Sequence, residues 1–298
     1  VIVSASRRTD LPALYPEWLK GRLAAGFADV PHPFDARRVR RVDLRPAPEG
    51  GMEALVLWTR NPAPLLDALP AWEAQGLRTL WLVTVTGYPA VLEPAAPRTG
   101  EAVAAIRTLA ALVGPERVAW RYDPVLLCRD AGLGATWHRG NFRRLASALA
   151  GATRRCIVSL YDDYAKARRR LAAAGLSPEG GPAVTGMIPR ETLELVGGLA
   201  AEAQAHGIDV RSCCEDLSAA GVAPGACVDG DLLGRLWGLG PRQARDPGQR
   251  PACRCAPSVD IGVYDTCVHG CLYCYATGTA TRAGARRAAH DHGNERLV

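Results

Sequence analysis

Short apolar strands alternate with helical stretches along most of this chain, and that alternation narrows the fold more than any other feature. "VIVSA" at the start, "ALVLWTR" (54–60), "LRTLWLVTVTGY" (77–88), "RVAWRYDPVLL" (117–127), "RCIVSLY" (155–161) and "IDVRSCC" (208–214) read as strands. "RRVDL" (40–44) is strand-like as well. Helical stretches over 16–27, 65–76, 99–113, 141–151, 164–175 and 189–206 fall between them. "GGPAVTG" (180–186) reads as a loop. Continuous apolar strands joined by helices imply a parallel sheet with helices packed against it. The α/β class is therefore expected, as a full or partial (β/α) barrel. A doubly wound open sheet is the alternative. Its nucleotide-binding forms have little support, because no Gly-x-Gly-x-x-Gly and no phosphate-loop motif follows a strand.

Beyond residue 214 the pattern breaks. Residues 215–257 read as loops with one short helix around 230–237, and "SVDIGVYDTC" (258–267) reads as one more strand. Three regions follow from this: a core over 1–212, a cysteine-rich segment over 213–257, and a last strand with its loop and tail over 258–298.

The chain is 48% hydrophobic, enough for a sizeable core, and has no apolar run of membrane-spanning length. The start, "VIVSASRRTD", lacks the basic head and apolar stretch of a signal peptide. A soluble cytoplasmic protein without a membrane partner is expected. A net charge of +6 admits a nucleic-acid partner. The only lysines are Lys20 and Lys166, so the basic residues are arginines, and "RRVR" (37–40) and "ARRR" (167–170) read as solvated faces.

Ten cysteines are many for a cytoplasmic chain, and seven of them lie after Cys213. Clustering of this kind points to metal. Cys267, Cys271 and Cys274 form Cys-x3-Cys-x2-Cys in the loop after the last strand. Three thiolates on one loop suit three corners of a [4Fe–4S] cluster, leaving the fourth iron open. Zinc is the rival, with His269 an awkward fourth ligand. A second set comprises Cys213–Cys214, Cys227, Cys253 and Cys255. Four of these make a closed [4Fe–4S] or zinc site. Cys214 is favoured over Cys213, because strand neighbours point to opposite faces. Arg7, Arg8 and Asp10, together with Arg121, Asp123, Thr84 and Thr86, lie near strand ends, where a barrel presents its chemistry. The Arg–Asp pairs also read as structural salt bridges. His290 and His292 read as a polar tail or as metal ligands.

"CVHGCLYC" (267–274) resembles the radical S-adenosylmethionine superfamily, whose signature is Cys-x3-Cys-x-aromatic-Cys, with Tyr273 as the aromatic residue. The resemblance implies that the open iron binds S-adenosylmethionine. Reductive cleavage then makes a 5′-deoxyadenosyl radical that abstracts hydrogen from a substrate, with flavodoxin or ferredoxin as electron donor. Tyr273, Thr84 and Thr86 become cofactor-binding candidates. Arg7, Asp10, Arg121 and Asp123 become catalytic ones. The second cysteine set becomes an auxiliary cluster.

"VLWTRNPAPLLDAL" (56–69), "LVTVTGYPAVLEPAAPRTGEAVAAIRTLAAL" (82–112) and "WRYDPVLL" (120–127) resemble radical enzymes related to spore photoproduct lyase. Those enzymes carry such stretches after their cysteine loop. Here the loop comes last, which implies a circular permutation with 258–266 as the displaced first strand, paired in parallel with 2–5. The whole chain, from "SASRRTDLPA" to "SVDIGVYDTCVHGCLYCYA", is similar to an uncharacterised bacterial family with this C-terminal motif. An iron–sulfur electron-transfer protein and a metal-stabilised nucleic-acid-binding module stand as alternatives.

Overall fold

The computed structural model describes residues 1–33, 35–179, 186–239 and 244–298, so most of the loop read at 180–186 lies outside the described residues. The strands are β1 (Ile2–Ala5), β2 (Phe27–His32), β3 (Asp35–Asp43), β4 (Ala54–Thr59), β5 (Thr79–Thr84), β6 (Val118–Val125), β7 (Arg155–Leu160), β8 (Asp209–Ser212), β9 (Ala223–Pro224) and β10 (Ser258–Asp260). The helices are α1 (Leu11–Leu14), α2 (Pro16–Ala25), α3 (Leu69–Ala74), α4 (Thr99–Val113), α5 (Ala135–Leu149), α6 (Ala165–Ala173), α7 (Arg190–Ala205), α8 (Gly230–Trp237) and α9 (Ala280–Ala288).

Eight strands form one parallel sheet in the order β10-β1-β4-β5-β6-β7-β8-β9. A doubly wound sheet reverses direction at its middle. This one runs in chain order from β1 to β9, with β10 added at the outer edge of β1. Among the described residues no pairing joins β9 to β10. The sheet is therefore open, which corrects the full-barrel form of the expectation.

Strand alternation explains how the open sheet is covered. Val3, Leu55, Leu57, Trp81, Val83, Trp120 and Val158 point to one face and pack with Ile106, Leu145 and Leu199 of α4, α5 and α7. Ile2, Val56, Leu80, Leu82, Ala119 and Ile157 point to the other face. There they meet Cys227, Val228, Leu233, Cys253 and Cys255. The cysteine-rich segment thus covers the face that a closed barrel would fill with its own strands.

Several elements differ from the sequence expectation. Phe27–His32 and Asp35–Asp43 form a separate antiparallel hairpin, where the sequence suggested a helix end and one short strand. Pro31 within β2 weakened its strand pattern. Pro70 does not bend a long helix; it occupies the first turn of the short α3, where its missing N–H costs nothing. Helix α5 begins six residues before the expected start, since Gly140 in its second turn mimics a boundary.

Between the sheet and α5, buried His138 lies within a saturated polar network. Its Nε2 donates to the Leu126 carbonyl at 3.0 Å, so Nδ1 accepts from the Tyr122 hydroxyl at 2.8 Å. Burial lowers its pKa from 6.5 to about 4. The unfolded ring is protonated at higher pH than the folded one, so stability is complete above about pH 6.5 and falls as pH drops to about 4, by about 3 kcal/mol. Urea unfolding across that interval is expected to show a His138→Gln chain with a pH slope smaller by about one proton. An unchanged slope would mean that His138 titrates normally in the fold.

Candidate functional site

The parallel pairing of β1 with β10 brings the two ends of the chain together. Ile2, Val3 and Ser4 stand opposite Ser258, Val259 and Asp260, and the Ile261 N–H continues the ladder to the Ser4 carbonyl at 3.0 Å. The strand is shorter than the sequence suggested, because Asp260 ends it with a side-chain knot. Its carboxylate accepts from Ser4 and Ser6 Oγ at 3.0 and 2.7 Å and from the backbone N–H groups of Arg7 and Gly262 at 2.8 and 3.0 Å. Only glycine fits at 262: a Cβ there would stand 1.9 Å from Ser6 Oγ.

Beyond this knot runs the loop that carries Cys267, Cys271 and Cys274, all half-buried. Gly270 turns it with φ 73°, and a Cβ there would lie 2.9 Å from Pro94. Three contacts fix its path. His269 lies between the Ala95 carbonyl at 3.1 Å and Asp10 Oδ2 at 2.8 Å. The Tyr15 hydroxyl donates to the Thr266 carbonyl at 2.7 Å. Arg170 of α6 donates to the carbonyls of Leu272, Cys274, Thr277 and Gly278. The sequence assigned Arg170 to a solvated face. It is instead a clamp, since a guanidinium offers five donors in a plane and matches the orphan carbonyls of a loop.

Alternation along the strands places the polar residues. On the face that carries Leu82, Ala119 and Ile157, the next inward positions toward the C-terminal ends are Thr84, Arg121, Asp123 and Ser159. They line a cavity of about 560 Å³ together with Trp58, Arg7, Asp10 and both cysteine sets. Arg121 pairs with Asp123 and donates to Thr84 Oγ1 at 3.2 Å, and Ser159 donates to Asp123. The guanidiniums of Arg7 and Arg121 stand 5.2 and 4.9 Å from the Trp58 ring. Arg7 Nη2 and Arg121 Nε are buried without a hydrogen-bond acceptor.

Thr86 and Asp10 are both held by hydrogen bonds within the protein. Thr86 is buried and donates to Glu93 Oε1 at 2.6 Å, behind the cavity wall. Asp10 caps α1 through the Ala13 N–H and also accepts from the Arg60 N–H at 2.7 Å, so both its oxygens are engaged. Tyr273 lines the cavity, but its hydroxyl is held by Glu93 and Arg60. Arg60 in turn forms a two-pronged pair with Glu93 at 2.8 and 2.9 Å. Burial pushes the Tyr273 phenol well up, keeping it neutral. Arg60 and Glu93 lie in the "TRNP" and "LEP" stretches, where the sequence reading names no site residue.

The second cysteine set converges without exception. Cys213 and Cys227 Sγ are 3.6 Å apart, and all five cysteines pack in one cluster and line the same cavity. The expectation that one member of the Cys213–Cys214 pair would point away is corrected. Cys213 still follows the strand, its N–H bonded to the Val158 carbonyl at 2.8 Å, but Cys214 adopts φ 72° and turns back. The Cys255 thiol is held low by donation from Cys227 and Cys253, with Arg7 and the Val228 N–H adding to it. Cys213, Cys214, Cys227 and Cys253 are pushed up, by contacts within the thiol ring together with burial. Burial likewise raises Cys267 and Cys271. His290 packs edge-on against Tyr15, and its Nδ1 lies 2.7 Å from the Leu297 carbonyl, so it seats the tail.

Among the described residues no group of three or more His, Cys, Asp or Glu side chains is arranged to hold a metal ion, and no helix is long and apolar enough to cross a membrane. The family model for the domain of unknown function DUF1848 matches residues 2–276, so the chain belongs to that family. No curated protein matches it.

Proposed function

We propose that this DUF1848 chain is a radical S-adenosylmethionine enzyme with a circularly permuted partial barrel. The observation that carries the reading is the position of the cysteine loop. It leaves β10 at the end from which the parallel strands present their C-termini, and its three thiols line the cavity there. Moving β10 to the start of the chain would make the strand order of the whole sheet strictly sequential, which supports permutation.

The donor set fits a site-open [4Fe–4S] cluster. Three thiols come from one loop, and Cys274 Sγ accepts from the Ala276 N–H at 3.3 Å, a bond of the type that tunes cluster potentials. Cys267, Cys271 and Cys274 would hold such a cluster through their thiolates. When bound, the cluster supplies an electron to S-adenosylmethionine, splitting it into methionine and the 5′-deoxyadenosyl radical.

The chain's own residues bind and shield. Arg7 and Arg121 bring guanidiniums with unmet hydrogen-bonding capacity toward the carboxylate of the cofactor. Trp58 gives the cavity an apolar wall, and Asp123 holds Arg121 in place. Arg170 and His269 keep the loop rigid, as a site that excludes water requires. An electron donor such as flavodoxin or ferredoxin is the partner the reading calls for.

The test is an anaerobic assay of the iron-loaded protein with dithionite and S-adenosylmethionine. Release of 5′-deoxyadenosine and methionine is expected. Iron-loaded protein that leaves S-adenosylmethionine intact would sink the reading.

A further inference from the structure

Cys213 and Cys227 meet at a sulfur–sulfur distance of 3.6 Å, and both are free thiols. The function proposed for the loop uses neither. The backbone holds them together. Strands β8 and β9 run in parallel with Ser212 opposite Pro224, and the Gly225 N–H donates to the Ser212 carbonyl at 2.9 Å. That tie lies one residue before Cys213 and two before Cys227. Gly225 permits the approach, since a Cβ there would stand 2.6 Å from the Arg211 Cβ. On its other side Cys213 is pinned to β7, through its N–H to the Val158 carbonyl at 2.8 Å.

A disulfide needs its sulfurs about 2.05 Å apart and its Cα atoms about 4.4–6.8 Å apart. Starting from 3.6 Å, the two sulfurs have about 1.5 Å left to close, which rotation of the two side chains supplies. The neighbouring pair Cys213–Cys214 is poorly placed for the same bond. Cα atoms joined by a trans peptide stand about 3.8 Å apart, nearer than disulfide geometry allows. Access is open as well. Cys213 is half-buried, and it lines the cavity together with Cys227.

We propose that Cys213 and Cys227 form a redox-active dithiol, which a low-molecular-weight disulfide entering the cavity oxidises to a disulfide and a low-molecular-weight thiol restores. Cys213 is the more exposed, so its thiolate attacks first. It bonds to one sulfur of the reagent and expels the other half as a thiolate. The Cys227 thiolate then attacks the Cys213 sulfur and expels the second half. The pair gives up two electrons and two protons, and the reagent leaves as two thiols. In the oxidised form the ends of β8 and β9 are covalently joined at the cavity wall, and two thiols that faced the cavity are gone. None of this needs the loop thiols or S-adenosylmethionine, so its test is independent of the function proposed above.

The experiment treats the folded protein with hydroxyethyl disulfide, unfolds it and caps the remaining thiols with iodoacetamide. Trypsin with a Glu-specific protease then cuts at Arg211, Glu215, Arg235 and Arg254, which puts the Cys213–Cys214 pair, Cys227, Cys253 and Cys255 on separate peptides. Mass spectrometry is expected to find the first two of these peptides linked, and dithiothreitol given before unfolding to abolish the link. A Cys214→Ser chain is expected to keep the link and a Cys213→Ser chain to lose it. Cys227 left free, whether unreactive or held by a metal ion, overturns the proposal. So does Cys227 joined to Cys253 or Cys255, or a link that survives Cys213→Ser. If a variant does not fold, fragmentation of the linked peptides from the unaltered protein decides: a bond at Cys213 upholds the pair, and a bond at Cys214 overturns it.

Discussion

A Cys271→Ala chain is expected to release no 5′-deoxyadenosine from S-adenosylmethionine. With one of the three loop thiols gone, two irons of a site-open cluster lack a protein ligand. The loop itself should survive the change. It is held by Arg170 on the carbonyls of Leu272, Cys274, Thr277 and Gly278 and by the His269–Asp10 contact, none of which uses the Cys271 sulfur. The check is an anaerobic turnover assay beside iron and sulfide analysis on the same preparation. Product formation at the unaltered rate would rule out Cys271 as a cluster ligand.

Replacing Glu93 with Ala is expected to cost about 3–5 kcal/mol of stability, since it strands the Arg60 guanidinium as an uncompensated buried charge. The side chains of Arg60 and Glu93 are only 11% and 5% exposed, so water cannot stand in for the lost partner. The same change frees Thr86 and the Tyr273 hydroxyl, loosening the cysteine loop from the wall behind it. Guanidinium-chloride unfolding of the two chains measures the cost. A Glu93→Gln chain, which keeps the shape and part of the hydrogen bonding, should lose less. A shift within experimental scatter for Glu93→Ala would mean that Arg60 finds solvent or another acceptor.

Much of the sheet was legible because its signal is local. A strand buried on both faces has to be apolar throughout, and "ALVLWT" and "TLWLVT" are, so β4 and β5 stand close to where the residues suggested. Helix α4 announces itself by the spacing of Ile106 and Leu109, and its residues 99–113 agree with the sequence reading. The hairpin β2–β3 was less legible, as its pattern is half-buried and broken by proline. The clamp by Arg170 was not legible at all. An arginine on a helix reads the same whether its partners are water or the carbonyls of a loop about a hundred residues away.

The sequence by itself determined the class of fold, the two cysteine sets and the placement of the first of them after a last strand. Those are matters of residue type and spacing within a few residues. Tertiary structure alone decided that the sheet stays open, because closure depends on what covers its inner face, and here the cysteine-rich segment does so. It alone put Cys213 in the ring beside Cys214, since a single left-handed residue overrides the alternation on which the sequence argument relied. The parallel pairing of β1 with β10 stands as the resemblance implied, and the structure alone added the Asp260 knot that holds it. Pairing between segments some 250 residues apart leaves no periodic trace, because the backbone hydrogen bonds that make it are the same for every sequence.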